Sequence, residues 1–247
     1  MNEVLTKENK RFREKYYYTE LENGFKITVV PKDLPMKSAF LCCNFGGAAV
    51  EYTLDGKSYS LPYGTAHFLE HKMFETADGG DAFLEFDAHG GNANAYTSYE
   101  NTCYYFSCAE NLFENLRVLL GAVASFHCTE KSVKKERGII AREIKMYDDL
   151  PDSNLSRNLA RALYKSHPSV MAISGTVESI GEIDKKTLYR AYEHFYVPSN
   201  LSLCVCADVD INELATLARE YFGAPSHERP NTIFRQEPSE VTTQKIE

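Results

Sequence analysis

The stretch GTAHFLEHKMFE, residues 64–75, sets the reading of the whole chain. It alternates apolar and polar positions with helical spacing and puts His67, Glu70 and His71 in the order HxxEH. At about 100° per residue, the two histidines share one helical face a single turn apart, so two imidazole nitrogens can converge on one ion. Glu70 flanks that face. It can reach a water held at the ion without being a ligand itself, which is the placement of a general base beside a Lewis acid.

Two neutral imidazoles, a carboxylate and an open position form a set that suits Zn²⁺, so a third ligand is expected from another element. The segment ERGIIAREIKMYDD, residues 136–149, supplies a candidate in Glu143. Ile139, Ile140, Ile144 and Met146 give this helix one mostly apolar side, and Glu136 and Glu143 lie two turns apart on one face. A carboxylate on a half-apolar helix is costly to bury unless it is paired or binds a metal, which favours Glu143 aimed at the histidines. Glu136 is expected to hydrogen-bond the outer nitrogen of a ligand histidine and fix its tautomer.

Further along, GGNANAYTSYE alternates Asn94, Tyr96 and Ser98 with Ala95, Thr97 and Tyr99 after the Gly90-Gly91 turn, a period-two strand with a flexible entry.

HxxEH is the inverted zinc-hydrolase signature. HFLEHKMFE, GGNANAYTSYENTCYYF, KERGIIAREIKMYDDLPD, SGTVESI and HFYVPSNLSLCV together resemble, in order, the landmarks of the insulinase-like (pitrilysin, M16) zinc metallopeptidases, over roughly residues 23–223. Three of these stretches are most similar to a bacterial cytosolic branch of that family. The resemblance implies His67, His71 and Glu143 as zinc ligands, Glu70 as the catalytic base that activates water, and Glu136 as the acidic partner one helical segment before the third ligand. It also implies that peptide substrate adds as a strand along residues 92–97, with Asn94 and Ala95 as the matching positions; an edge strand holds a peptide largely through backbone groups.

The chain has 247 residues, 43% hydrophobic and 25% charged, enough for one sizeable core. A net charge of -8 argues against a nucleic-acid partner. No apolar run approaches a membrane span and no signal peptide is evident, so the expected location is cytoplasmic. Seven cysteines, an odd number, are read as unpaired thiols of a reducing compartment.

The coarse reading gives strands at 26–31 and 38–45, a helix from Thr65, a short helix at 81–88 and two strands between 92 and 108. Helices at 110–126, 130–148, 153–164 and 185–195 follow, then a strand at 201–207 and a helix at 212–222. The expected fold class is α+β, with a largely antiparallel sheet packed against helices.

Residues 1–223 are expected to form the zinc-binding peptidase domain, and residues 224–247, rich in Pro, Ser, Thr and charge, a linker toward a missing second, metal-free domain. The family resemblance implies such a duplicated chain, and homodimers or heterodimers with an inactive sister subunit. The expected function is zinc-dependent endopeptidase hydrolysis of peptides or small proteins, weak or absent in the isolated half. The rival is a catalytically silent peptide-binding or scaffolding subunit.

Overall fold

In the computed structural model, which describes residues 3–234 and Glu237, the chain begins with two strands, β1 (Leu5–Asn9) and β2 (Glu14–Glu20). After β3 (Lys26–Val30) and β4 (Lys37–Cys43) comes a hairpin of β5 (Glu51–Leu54) and β6 (Lys57–Ser60). Helix α1 (Thr65–Met73) carries HxxEH, and α2 (Phe83–Ala88) leads into β7 (Gly91–Thr97) and β8 (Thr102–Cys108). Five more helices and a strand follow: α3 (Leu112–Ala124), α4 (Glu130–Asp148), α5 (Pro151–Leu163), α6 (Val177–Gly181), α7 (Lys185–Phe195) and β9 (Leu201–Cys206). Helix α8 (Ile211–Phe222) and β10 (Asn231–Thr232) complete the order.

The main sheet runs β1-β2-β3-β9-β4-β8-β7, antiparallel except where β3 pairs in parallel with β9. Its central strands β3 and β9 alternate between buried and less buried residues, as a sheet covered on one face requires. Ala39, Leu41 and Cys43 of β4 and Leu201, Leu203 and Val205 of β9 are buried against the helices. Phe40 of β4 faces the other way and is 38% exposed. The class is therefore α+β with a large, mostly antiparallel sheet, as expected.

Most expected elements occur where the pattern placed them, and α4 has the expected bounds. Helix α5 starts two residues earlier, because Pro151 fits the first helical position, where its missing N–H costs nothing. The β1–β2 hairpin, absent from the sequence reading, is polar and largely exposed, so hydrophobic periodicity gave it no signal. The β5–β6 hairpin did carry one: Asp55 and Gly56 both have positive φ, at 50° and 72°, the conformation that Asp-Gly turns favour.

Two expectations are corrected. The cysteines are not all free: Cys42 and Cys103, directly opposite on β4 and β8, form a disulfide, while Cys43, Cys108, Cys128, Cys204 and Cys206 are free. Sequence spacing of 61 residues gave no sign of it; register alone brings the two together. Met146 is 53% exposed and lies off the apolar side of α4, which is formed by Val133, Ile140 and Ile144. Of the expected linker, residues 235, 236 and 238–247 lie outside the described residues, while Asn231 and Thr232 pair with β5. No described helix is long and apolar enough to cross a membrane.

Candidate metal centre

Helix α1 begins at Gly64, whose φ of 92° is left-handed; a Cβ there would lie 2.5 Å from Ser174 O. Glycine at this position lets the 174–175 segment close over the start of the helix. Ala66, Phe68, Leu69 and Met73 then bury into the core, and the helix is left presenting His67, Glu70 and His71 toward α4 and β7. Helix α4 is started by a capping box between Thr129 and Ser132 and fixed by buried Val133, Ile140 and Ile144, which leaves Glu136 and Glu143 facing α1.

The ligand atoms of His67, His71 and Glu143 lie within 4.8 Å of one another. His67 Nε2 is 3.6 Å from Glu143 Oε1, and His71 Nε2 is 3.6 Å from Oε2 of the same carboxylate. These separations are too long for hydrogen bonds. They are close to the spacing of about 3.3 Å that two ligands adopt around one tetrahedral zinc with bonds of about 2.0–2.1 Å. The donor set, two imidazoles and a carboxylate, is therefore one into which zinc fits, with Nε2 the donor atom of both histidines.

His71 Nδ1 sits 3.0 Å from Glu136 Oε1, so the ring's other nitrogen is engaged by a carboxylate and its Nε2 is left as the donor atom. Burial alone would raise the Glu136 carboxyl, but the hydrogen bond and charge of His71, with Lys72 and Lys135, lower it overall. His71 moves the other way from its burial: the hydrogen bond to Glu136 and the charges of Glu70, Glu136 and Glu143 raise it. Burial, followed by repulsion from His71, lowers His67 to about 4, so its imidazole is neutral near pH 7, the form that binds a metal. His67 Nδ1 is buried without a hydrogen-bond partner.

Glu70 accepts a hydrogen bond of 2.8 Å from the hydroxyl of Thr97, the last residue of β7. Burial raises the Glu70 carboxyl, and that hydrogen bond only partly offsets the effect. Raising a carboxyl toward neutral pH is how a site prepares one to take and return a proton.

β7 is an edge strand of the main sheet. Cys42 and Cys103 have Cα atoms 4.1 Å apart, the close spacing of a pair without mutual backbone hydrogen bonds. Cys103 therefore turns its backbone groups to β7, where it pairs with Tyr96, and the neighbouring Ala95 and Thr97 turn theirs to the free edge. The Ala95 N–H is held by the Asn94 side chain, which accepts from it at 2.8 Å.

Beyond Glu143 and Thr97 opens a cleft of about 820 Å³, walled by Tyr147, Leu159 and Leu163 on one side and by the 169–175 segment on the other. Tyr99, just past β7, braces that segment: its hydroxyl lies 3.2 Å from Ser169 O and 3.1 Å from Met171 O. The structure thus brings His67, His71, Glu143, Glu136 and Glu70 to one place, with Asn94 and Ala95 on the adjacent edge. The sequence reading missed Thr97 and the cleft wall. Thr97 was within the strand it identified, but period-two alternation does not tell which inward side chain meets the base.

Residues 58–177 match the family model described as insulinase (peptidase family M16), and residues 182–247 match the one described as the peptidase M16 inactive domain. A Bacillus subtilis protein named "Uncharacterized zinc protease YmfH" is 40% identical over 236 residues, 94% of this chain and 55% of that protein. A solved structure described as an M16-like peptidase from Alicyclobacillus acidocaldarius superposes with a TM-score of 0.84 at 37% identity, covering 91% of this chain and 54% of its own. A protease from Helicobacter pylori shares the fold, with a TM-score of 0.80 at 22% identity, over 91% of this chain and 55% of that one. The chain spans about half the length of the relatives it matches.

Proposed function

The chain belongs to the insulinase (M16) peptidase family, and from that membership we propose that it carries the zinc centre of a metalloendopeptidase that hydrolyses peptides or small proteins. The observation that carries this reading is the convergence of His67 Nε2 and His71 Nε2 on the two oxygens of Glu143, with Glu70 alongside and an open strand edge next to it. Zinc held by His67, His71 and Glu143 would supply a Lewis acid for the peptide carbonyl and make water more acidic.

The chain's own residues do the rest. A peptide pairs along the free edge of β7, using the outward backbone groups of Ala95, with Asn94 beside them. Glu70 takes a proton from water as it attacks the carbonyl and returns it to the departing amine. Glu136 keeps His71 in the tautomer that leaves Nε2 available. Backbone pairing selects for extended, flexible chains more than for a particular sequence.

In this reading residues 1–223 form the zinc-binding domain and residues 224–247 lead toward a second, metal-free domain. That the chain spans about half the length of its relatives is the observation behind the proposed second domain. The match of residues 182–247 to an inactive-domain description favours keeping a second reading, a peptide-binding subunit without turnover. Zinc content, together with cleavage of unfolded casein by wild type and Glu70→Gln, separates the two. Zinc without Glu70-dependent cleavage, in the full-length protein as well as in this chain, favours the silent subunit.

A further inference from the structure

We propose that Thr97 is a positioning residue for Glu70, fixing the base to the strand on which a peptide would lie rather than only to its own helix. The inference rests on the reading of Glu70 as the base.

Glutamate has three rotatable bonds, and ordering such a side chain is costly in entropy. Among the described residues, Thr97 is the one that hydrogen-bonds the Glu70 carboxylate, through Oγ1 to Oε2 at 2.8 Å. Thr102, opposite Thr97 on β8, comes within 3.4 Å of it but gives its own proton to Phe45 O at 2.7 Å. Each hydroxyl has one proton, so Thr102 can only accept from Thr97 here, and the Thr97 proton goes to the nearer, charged Glu70 Oε2, at 2.8 Å against 3.4 Å. With Oε2 held, Oε1 is the oxygen left to face the reacting water.

The hydroxyl is itself well placed. Thr97 is β-branched, which restricts its first side-chain torsion, and its place is fixed by its neighbours, Tyr96 paired with Cys103 and Ser98 N donating to Asn101 O at 2.7 Å. Its backbone groups face the free edge while its side chain faces Glu70. One residue therefore lies in contact with both the incoming peptide and the base, and the distance between them is set by a single rigid side chain.

The test uses the zinc-loaded chain as wild type, Thr97→Val, which keeps the shape without the hydroxyl, and Thr97→Ser, which keeps the hydroxyl. Zinc content, crystal structures and turnover of unfolded casein are measured for each, with thermal melting as a check on folding. All three should hold one zinc per chain. Glu70 should occupy one rotamer in wild type and Thr97→Ser and several in Thr97→Val. Turnover should fall about 10- to 100-fold in Thr97→Val with KM changed by less than about twofold, and should largely recover in Thr97→Ser.

The proposal is overturned if Glu70 keeps its single rotamer in Thr97→Val, if Thr97→Ser is as impaired as Thr97→Val, or if Thr97→Val loses zinc. The rotamer comparison decides the matter even where no cleavage is detected. Failure of the functional reading looks different: Glu70→Gln would cleave as well as wild type, or neither would cleave even in the full-length protein, while the Glu70 rotamers of wild type and Thr97→Val still differed.

Discussion

Glu136 Oε1 stands 3.0 Å from His71 Nδ1, and that contact decides which nitrogen of His71 faces Glu143. A carboxylate two turns up α4 from Glu143 thus sets the tautomer of a histidine on α1. The consequences of this arrangement, and of its surroundings, can be measured.

Glu136→Gln keeps a hydrogen-bonding group beside His71 but removes the charge, so zinc affinity should fall about 10- to 100-fold while the ligands stay in place. His67→Ala and Glu143→Ala should abolish stoichiometric zinc. Elemental analysis and competition with a chromogenic chelator check both expectations; zinc retained at one per chain in Glu143→Ala would remove it from the ligand set.

Glu70→Gln changes neither a ligand nor a core contact, so it should bind one zinc per chain with affinity close to wild type. Any casein cleavage shown by the wild-type protein should drop by a factor on the order of 100 or more, the loss expected for a general base. Zinc analysis and turnover on the same preparations check this.

Gly91 opens β7, and a Cβ placed on it would lie 2.0 Å from the buried Asn115 Oδ1. Asn115 also donates to His89 O, tying α3 to the turn before the strand, so it cannot easily move aside. Gly91→Ala should destabilise the fold by about 1–3 kcal/mol, as other overpacked sites do. Urea denaturation measures the loss, and hydrogen exchange should find the protection loss concentrated in β7.

Lys72 is only 4% exposed and ion-pairs with Glu75 on the next turn of the chain. Burial lowers the Lys72 ammonium, with the charge of Glu136 opposing. Removing the partner should therefore cost more than removing both. Glu75→Gln is expected to lose up to about 3 kcal/mol, below the full cost of breaking a fully buried pair because Glu75 keeps some solvent contact, while Lys72→Met/Glu75→Leu should be closer to wild type. Denaturant midpoints of the two variants provide the comparison.

His194 lies away from the metal centre, its Nδ1 2.8 Å from the Tyr52 hydroxyl. Burial, then repulsion from His227 and Arg190, lowers its pKa below the usual 6.5. In the window just below pH 6.5 the unfolded chain binds more protons than the folded one, so stability falls as pH drops through that window and is fully present above it. Melting temperatures of wild type and His194→Gln from pH 7.5 to 5.5 should converge at the acid end, with the wild type showing the steeper decline.

The sequence by itself determined the metal ligands as candidates, because one helical turn between His67 and His71 and two turns between Glu136 and Glu143 are local geometry that any helix obeys. It determined the α+β class in the same way, since hydrophobic periods of two and of 3.6 residues are printed along the strands and helices. Polar elements such as the β1–β2 hairpin carry no such print and were invisible. What only the tertiary structure decided is which elements meet. Sheet order made β7 an edge, register brought Cys42 to Cys103 across 61 residues, and the packing of α1 against β7 put the Thr97 hydroxyl on Glu70. Those contacts join residues far apart in the chain, and their distances depend on how a whole core fills space, which no local pattern encodes.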